Sequence, residues 1–283
     1  MKVILAETFG MCFGVRDALR RVAEVEEPTA TTIHGELVHN EVVLYQLAQQ
    51  GFAQMSEEDR DTLPNSPNIL ITAHGISDRE RRRLRAAQKT LIDTTCPLVR
   101  RVHVAAWQLQ RDGYFVVVLG KPGHVEVRGI VEDLSDFAVV DRVENVRNFG
   151  QPKLGIVCQT TLPPALSEQL RARIVECNPT SEIRCIDTIC EPTRQRQEAM
   201  QELLQKVPAV VIVGGHNSNN TRQLLALCHA NDIPAKQVAA AAELDLDWLS
   251  QWDVVGLTAG TSTLDETLQE VRKRLLQFHT GVA

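Results

Sequence analysis

Short apolar, β-branched runs alternate with amphipathic helical patterns along the whole chain. The runs fall at 3–5, 68–72, 114–119, 137–140, 153–158, 209–213 and 254–258. Apolar residues spaced by three and four mark helices at 15–26, 41–49, 78–88, 99–111, 164–176, 194–205, 221–230 and 264–278. Leu264, Leu268, Val271 and Leu275 form one such stripe. Strands that alternate with helices of this length require crossover connections, and so an α/β fold with mostly parallel sheets. The unbroken run Phe115-Val116-Val117-Val118-Leu119 fits a strand buried on both faces. The strand, polar loop, helix pattern recurs without any repeat of sequence.

Composition narrows the classes further. The chain has 283 residues, which predicts two or three domains at roughly 150 residues each and a core that needs no disulfide staples. The longest apolar stretches, 115–119 and 209–213, fall far short of the roughly 20 residues of a membrane span. Met1-Lys2-Val3-Ile4-Leu5-Ala6-Glu7 reads as a first strand rather than a signal peptide. A net charge of −6 argues against a broad nucleic-acid surface. The basic run at 79–85 reads as a solvated helix face. Seven cysteines are an odd number, so they cannot form a complete disulfide framework. With no export signal the expected compartment is the reducing cytoplasm, where thiols stay reduced or bind metal. No CxxC pair is present.

The unusual chemistry sits in the loops that follow strands, where parallel sheets bind ligands. These loops are Ala73-His74-Gly75, Gly120-Lys121-Pro122-Gly123-His124, the polar stretch at 214–220, and Ala259-Gly260-Thr261-Ser262. Cys12 lies in Gly10-Met11-Cys12-Phe13-Gly14-Val15. Cys96 lies in Asp93-Thr94-Thr95-Cys96-Pro97-Leu98, and Cys190 in Asp187-Thr188-Ile189-Cys190-Glu191-Pro192. Cys96 and Cys190 share an Asp-Thr lead-in and a following helix. A helix N-terminus stabilises a thiolate and suits metal ligation. The three are about one small α/β unit apart, so three units can each bring one thiol to a common centre. Any single cysteine is more simply read as a small buried hydrophobe, and Cys158, Cys177, Cys185 and Cys228 keep that reading.

His39, His74 and His124 lie in matching polar turns, each near a glycine or a helix start where an anion can be met. His34, His103, His216, His229 and His279 read as structural. Glu126, two residues after His124, is placed to shuttle a proton; its plainer reading is an exposed turn acid. Gln159-Thr160-Thr161 and the residues Ser218, Asn220 and Ser262 are neutral donors beside helix starts. Such groups either cap the helices or cradle a phosphate. The glycines match neither GxGxxG nor GxxxxGK[ST], which disfavours ordinary nucleotide sites.

Taken in chain order, nine segments resemble the family of 4-hydroxy-3-methylbut-2-enyl diphosphate reductases of the non-mevalonate isoprenoid pathway, the LytB type. They are Gly10-Met11-Cys12-Phe13-Gly14-Val15, Glu36-Leu37-Val38-His39-Asn40, Ala73-His74-Gly75, Asp93-Thr94-Thr95-Cys96-Pro97-Leu98-Val99 and Gly123-His124-Val125-Glu126-Val127. Gln159-Thr160-Thr161-Leu162, Asp187-Thr188-Ile189-Cys190, Asn217-Ser218-Asn219-Asn220 and Thr258-Ala259-Gly260-Thr261-Ser262 complete the set. Lys121, Val125 and Asn219 depart from the family pattern, which often has His, Pro and Ser there.

The resemblance implies three small α/β units, at 14–96, 97–190 and 1–13 with 191–283, in a cloverleaf around a central iron–sulfur cluster. It implies that Cys12, Cys96 and Cys190 hold a [4Fe–4S] cluster with one iron open. His39, His74, His124, Ser218, Asn219, Asn220 and Ser262 then bind the diphosphate, and Glu126 relays protons with Thr160 beside the substrate hydroxyl. The implied reaction is reductive dehydroxylation to isopentenyl and dimethylallyl diphosphate. Ferredoxin or flavodoxin is the implied donor; no nucleic acid or membrane partner is.

Other classes use parts of the same residue set. A mixed Cys/His zinc hydrolase would take Glu126 as general base. An iron–sulfur sensor or diphosphate-binding protein would need no Glu126. An NAD-dependent dehydrogenase fits the α/β pattern but lacks its glycine fingerprint.

Overall fold

The computed structural model describes residues 1–278. Its strands are β1 (Lys2–Leu5), β2 (Thr31–His34), β3 (Ala53–Gln54), β4 (Asn68–Ile71), β5 (Thr90–Asp93), β6 (Phe115–Leu119), β7 (Phe137–Val140), β8 (Lys153–Cys158), β9 (Glu182–Cys185), β10 (Val210–Val213), β11 (Ala235–Val238) and β12 (Val254–Ala259). Its helices are α1 (Phe13–Ala23), α2 (Glu41–Gln49), α3 (Asp78–Ala86), α4 (Pro97–Arg111), α5 (Val125–Val131), α6 (Pro164–Cys177), α7 (Glu191–Leu204), α8 (Asn219–Ala230), α9 (Leu246–Leu249) and α10 (Asp265–Gln277).

The strands form three four-stranded sheets, ordered β1-β12-β10-β11, β3-β2-β4-β5 and β7-β6-β8-β9. Every strand pairing among the described residues is parallel. The α/β expectation is therefore met. The topology is also repeated. Within the second and third sheets the spatial order is second, first, third, fourth strand in chain order. The remaining sheet obeys the same rule if β10, β11 and β12 come first and β1 fills the fourth place. Internal contacts gather the chain into two compact units. One comprises Met1–Arg16, Val38–Gln46 and the chain from Glu191, and carries the β1 sheet. The other comprises Asp17–Leu37 and Leu47–Cys190, and carries the other two sheets.

All seven runs and all eight helical patterns read from the sequence are present. Five strands have no counterpart in that reading: β2, β3, β5, β9 and β11. Four of these lie at sheet edges. Ala53–Gln54 is exposed throughout, and Glu182–Cys185 alternates exposed and half-buried residues. An edge strand has one paired side and little apolar surface, so its composition resembles a loop. β2 was missed for another reason: Thr31-Thr32-Ile33-His34 is fully buried yet mostly polar. Helix α5 replaces the turn expected around Glu126.

Strand alternation sends side chains to both faces of each central strand. Val211 and Val213 of β10 pack with Leu268, Val271 and Leu275 of α10. Val210 and Ile212 pack with Met200 and Leu203 of α7 and with Leu224 of α8. Val116 and Val118 of β6 meet Val102 and Leu109 of α4, while Val117 and Leu119 meet Leu170 and Ile174 of α6. Each fully buried Val, Leu or Ile contributes about 1.5–3 kcal/mol of transfer free energy, and that is why these strands read clearly in the sequence.

His34 ends β2 inside a buried ionic cluster. Its Nε2 lies 3.2 Å from Glu80 Oε1, and its carbonyl accepts from the buried Arg60 guanidinium at 2.8 Å. Burial, with the Arg60 charge added, pushes the imidazole down to about 4. The folded state thus keeps His34 neutral where the unfolded chain protonates it, from its ordinary value near 6.5 downward. Stability is fully present above pH 6.5 and is lost as pH falls toward 4. The expected loss between pH 7.5 and pH 5 is about 2 kcal/mol. Urea unfolding at the two pH values should show it, with a flatter pH dependence in His34→Gln.

Candidate functional site

The repeated topology puts the three singled-out cysteines at equivalent places. Each lies immediately before the helix that follows the fourth strand of its sheet: Cys12 before α1, Cys96 before α4, Cys190 before α7. Each backbone N–H donates to the carbonyl two residues beyond the third strand of the same sheet. The bonds are Cys12 to Thr261 at 3.0 Å, Cys96 to Ala73 at 3.1 Å and Cys190 to Thr160 at 3.0 Å. Pro97 follows Cys96 at the first helical position, and the Cys96 thiol makes no capping bond to α4. All seven cysteines are thiols and the three are half-buried. Among the described residues no three His, Cys, Asp or Glu side chains are grouped to hold a single metal ion.

Three of the remaining thiols are perturbed by burial. Burial pushes Cys158 up to about 11 and Cys228 up to about 12, and raises Cys185. Such thiols stay protonated and make poor ligands.

Glu126 is 2% exposed, so the exposed-turn reading of this acid is corrected. It occupies the first turn of α5, where the helix dipole favours a carboxylate. Its Oε1 accepts the Thr160 N–H at 2.7 Å and its Oε2 accepts the Thr160 hydroxyl at 2.8 Å. Thr160 does not cap α6, because the N-cap there is Pro163. The same threonine carries the carbonyl that holds Cys190. One residue thus joins the buried acid to a cysteine-bearing loop.

His124 is the N-cap of α5, and its Nδ1 accepts the Glu126 N–H at 3.1 Å. A neutral imidazole that accepts at Nδ1 carries its proton on Nε2, so the far side of the ring is a donor. The His74 and His124 rings stand edge to face with centroids 5.8 Å apart. Gly75, next to His74, has φ +72°, and a Cβ there would come within 2.9 Å of Thr95 Cγ2. Only glycine allows this turn without strain.

The unit that carries the β1 sheet holds the other candidates. Ser218 caps α8, accepting from the Thr221 N–H, and its own hydrogen is left to donate. Asn219 and Asn220 fill the first two positions of that helix and are buried. Asn220 Oδ1 accepts the Thr261 N–H at 3.0 Å, while its buried Nδ2 has no protein partner. Ser262 is buried, and its hydroxyl donates to the His39 carbonyl at 3.1 Å. To donate to a ligand, Ser262 must release that carbonyl.

Asn220 and Glu126 occupy the same place in two sheets. Each is the second residue of the helix after the first strand, and each accepts the N–H two residues past the third strand. One frame presents a carboxylate and the other a carboxamide.

Asn40 and Gln159 make bonds that the sequence reading did not assign to them. Asn40 caps α2 through Oδ1, accepting from Val42 and Val43 N–H, and its Nδ2 donates to the Ser262 carbonyl at 2.7 Å. An asparagine directly before an apolar helical run is the signal that marks such a cap. Asn40→Ala should cost about 1–3 kcal/mol from the lost cap and the stranded carbonyl. Urea unfolding measures this. Gln159 Oε1 accepts the Lys121 N–H at 3.0 Å, and a Cβ on Gly120 would lie 2.8 Å from the Gln159 Cβ. Nothing in its sequence context marks that role. His279 lies outside the described residues.

Thiols just before three helices, a buried acid bonded to Thr160, and buried polar groups at helix starts are the residue types that an α/β metalloenzyme of an anionic substrate uses. The LytB protein family matches residues 3–276, and the chain belongs to that family. It is 34% identical over 287 residues to a 4-hydroxy-3-methylbut-2-enyl diphosphate reductase of Trichlorobacter lovleyi, covering 99% of this chain and 100% of that protein. It is 30% identical to the reductase of the same name from Clostridioides difficile, covering 96% of this chain and 98% of that protein. A solved E-1-hydroxy-2-methyl-but-2-enyl-4-diphosphate reductase from Plasmodium falciparum superposes with a TM-score of 0.88 at 27% identity. That match covers 96% of this chain and 87% of the other. No helix among the described residues is long and apolar enough to cross a membrane.

Proposed function

We propose that the chain reduces 4-hydroxy-3-methylbut-2-enyl diphosphate to isopentenyl and dimethylallyl diphosphate in the cytoplasm. The balance is two electrons and two protons in, and one water out. The observation that carries the reading is Thr160, which bonds the buried Glu126 through its N–H and hydroxyl and holds the Cys190 N–H through its carbonyl. These bonds support a proton relay linked to a candidate ligand loop.

Cys12, Cys96 and Cys190 are the residues that would hold a [4Fe–4S] cluster. They fit it in chemistry: three thiols, each at a helix start and each with its backbone held in the same way. When bound, such a cluster supplies electrons one at a time and an open iron as a Lewis acid. The three units 14–96, 97–190 and 1–13 with 191–283 would each contribute one cysteine, in the cloverleaf arrangement.

The other residues bind and protonate. His39, His74 and His124, with Ser218, Asn219, Asn220 and Ser262, hold the diphosphate without Lys or Arg. The buried Asn220 Nδ2 is a donor that such an anion would satisfy. Glu126 passes a proton to the leaving hydroxyl through the Thr160 side chain. A titratable histidine in this set also shares protons with the phosphate. His124→Asn keeps a good capping residue and removes the titration. It should flatten the pH dependence of substrate affinity; an unchanged profile in a binding titration ends the shared-proton idea.

The function itself is tested by anaerobic turnover of the hydroxylated diphosphate with reduced methyl viologen. Formation of both isoprenyl diphosphates supports the reading, and their absence from cluster-loaded protein rejects it.

A further inference from the structure

We propose that the groove between α3 and α4 is the docking site of an acidic one-electron carrier protein. The inference rests on the reductase reading, because two electrons per turnover must come from outside the chain. Each carrier would lose one electron per encounter, so two encounters serve one reduction.

The groove has a volume of about 810 Å³ and is lined on one side by Arg81, Arg82 and Arg85 and on the other by Arg100, Val104 and Trp107. Helix α3 carries five arginines in nine residues, in a chain whose net charge is −6. The sequence reading of this run as a merely solvated face therefore leaves its purpose open. Of the three acids in the groove, Asp78 is exposed and lies 3.7 Å from the Arg81 guanidinium, and the other two are engaged internally. Asp93 is bound by Arg81 and by Arg100. The Thr95 hydroxyl and amide and the Arg81 guanidinium outweigh the upward push of burial and hold its carboxyl down to about 2. Asp133 accepts the backbone N–H groups of Asp78 and Arg79, capping α3. Arg82 and Arg85 are exposed and take part in no ion pair among the described residues. The surplus charge that faces outward is positive.

The facing helix adds what a protein partner uses. Val104 and Trp107 are 53% and 50% exposed, and the Arg111 guanidinium lies 5.0 Å from the Trp107 ring centroid. An exposed tryptophan among arginines is the composition of interface hot spots. Free phosphate would have no use for that apolar wall.

Position completes the argument. Asp93 and Thr95 line the groove, and Cys96 is the next residue. The Arg100 N–H bonds the Cys96 carbonyl at 3.1 Å. A carrier seated here would stand against the segment that holds one proposed thiolate ligand. The rest of an acidic chain repels an acidic carrier, so steering favours this face.

The test uses anaerobically purified holoenzyme and an acidic [2Fe–2S] ferredoxin as the probe. Calorimetric titration should give a Kd that rises with salt for the unaltered protein. Arg82→Glu with Arg85→Glu should raise the low-salt Kd at least about tenfold and flatten its salt dependence. Trp107→Ala should weaken binding while leaving the salt dependence in place. Turnover driven by reduced methyl viologen should be unchanged in both variants. Ferredoxin affinity indifferent to the charge reversal overturns the proposal. So does a groove that binds heparin as tightly as ferredoxin, which would make it a general polyanion surface. Failure of the reductase reading shows separately, as no methyl-viologen-driven turnover in the unaltered holoenzyme.

Discussion

Glu126→Gln is expected to lower turnover by about 10²–10⁴-fold, the usual contribution of a positioned acid, with little change in stability. The geometry makes the substitution clean. The amide oxygen can still accept the Thr160 N–H now held at 2.7 Å. The amide nitrogen can donate to the Thr160 hydroxyl, which turns from donor to acceptor at the contact now 2.8 Å long. Both contacts persist, and only the exchangeable proton is lost. Steady-state kinetics with reduced methyl viologen would show kcat falling while substrate affinity holds. Urea unfolding should place the variant within about 1 kcal/mol of the unaltered protein. A variant that turns over normally removes Glu126 from proton relay.

Cys190→Ser is expected to abolish the cluster and, with it, measurable reduction. Protein purified anaerobically should contain about four irons and four acid-labile sulfides per chain, and the serine variant a small fraction of that. Serine preserves the backbone bond to the Thr160 carbonyl, so the loss reports the sulfur rather than the loop. Cys228→Ser supplies the contrast. That thiol is fully buried and pushed up to about 12 by burial, so its replacement should leave iron and sulfide unchanged. Its cost is about 1–3 kcal/mol, from burying a hydroxyl. Zinc without sulfide in the unaltered protein, or a cluster indifferent to Cys190, would return the chain to the hydrolase reading with Glu126 as general base.

The most legible parts of the fold were the uniformly buried central strands, with the edge strands β1 and β7 also readable from their apolar runs. β6, β8, β10 and β12 are buried on both faces, and their β-branched runs say so. β3, β5, β9 and β11 are edges that share their surface with solvent, and β2 hides polar residues in a core. In these five, tertiary context outweighs local preference. The candidate cysteines and histidines were legible because they sit in loops, where sequence is free of packing demands. Gln159 and the dual role of Asn40 were not, because their partners lie far away in sequence. Asn40 reaches Ser262 across 222 positions, and no local pattern encodes that distance.

Periodicity and punctuation determined by themselves that this is a parallel α/β chain with thiols at helix starts and polar loops after strands. These follow from forces acting within a few residues: side-chain alternation, helical spacing, and the breaking of both by glycine and proline. The tertiary structure alone decided what those loops do with one another. It recruited β1, the first strand in the chain, as the fourth strand of a sheet otherwise built from residues beyond 209. That placement puts Cys12 at the position that Cys96 and Cys190 hold in their own sheets. It also decided that Glu126, polar and within a turn motif, is buried against Thr160 rather than exposed. An isolated carboxylate is costly to bury, and only the donors that the fold brings from 34 residues away make that burial tolerable.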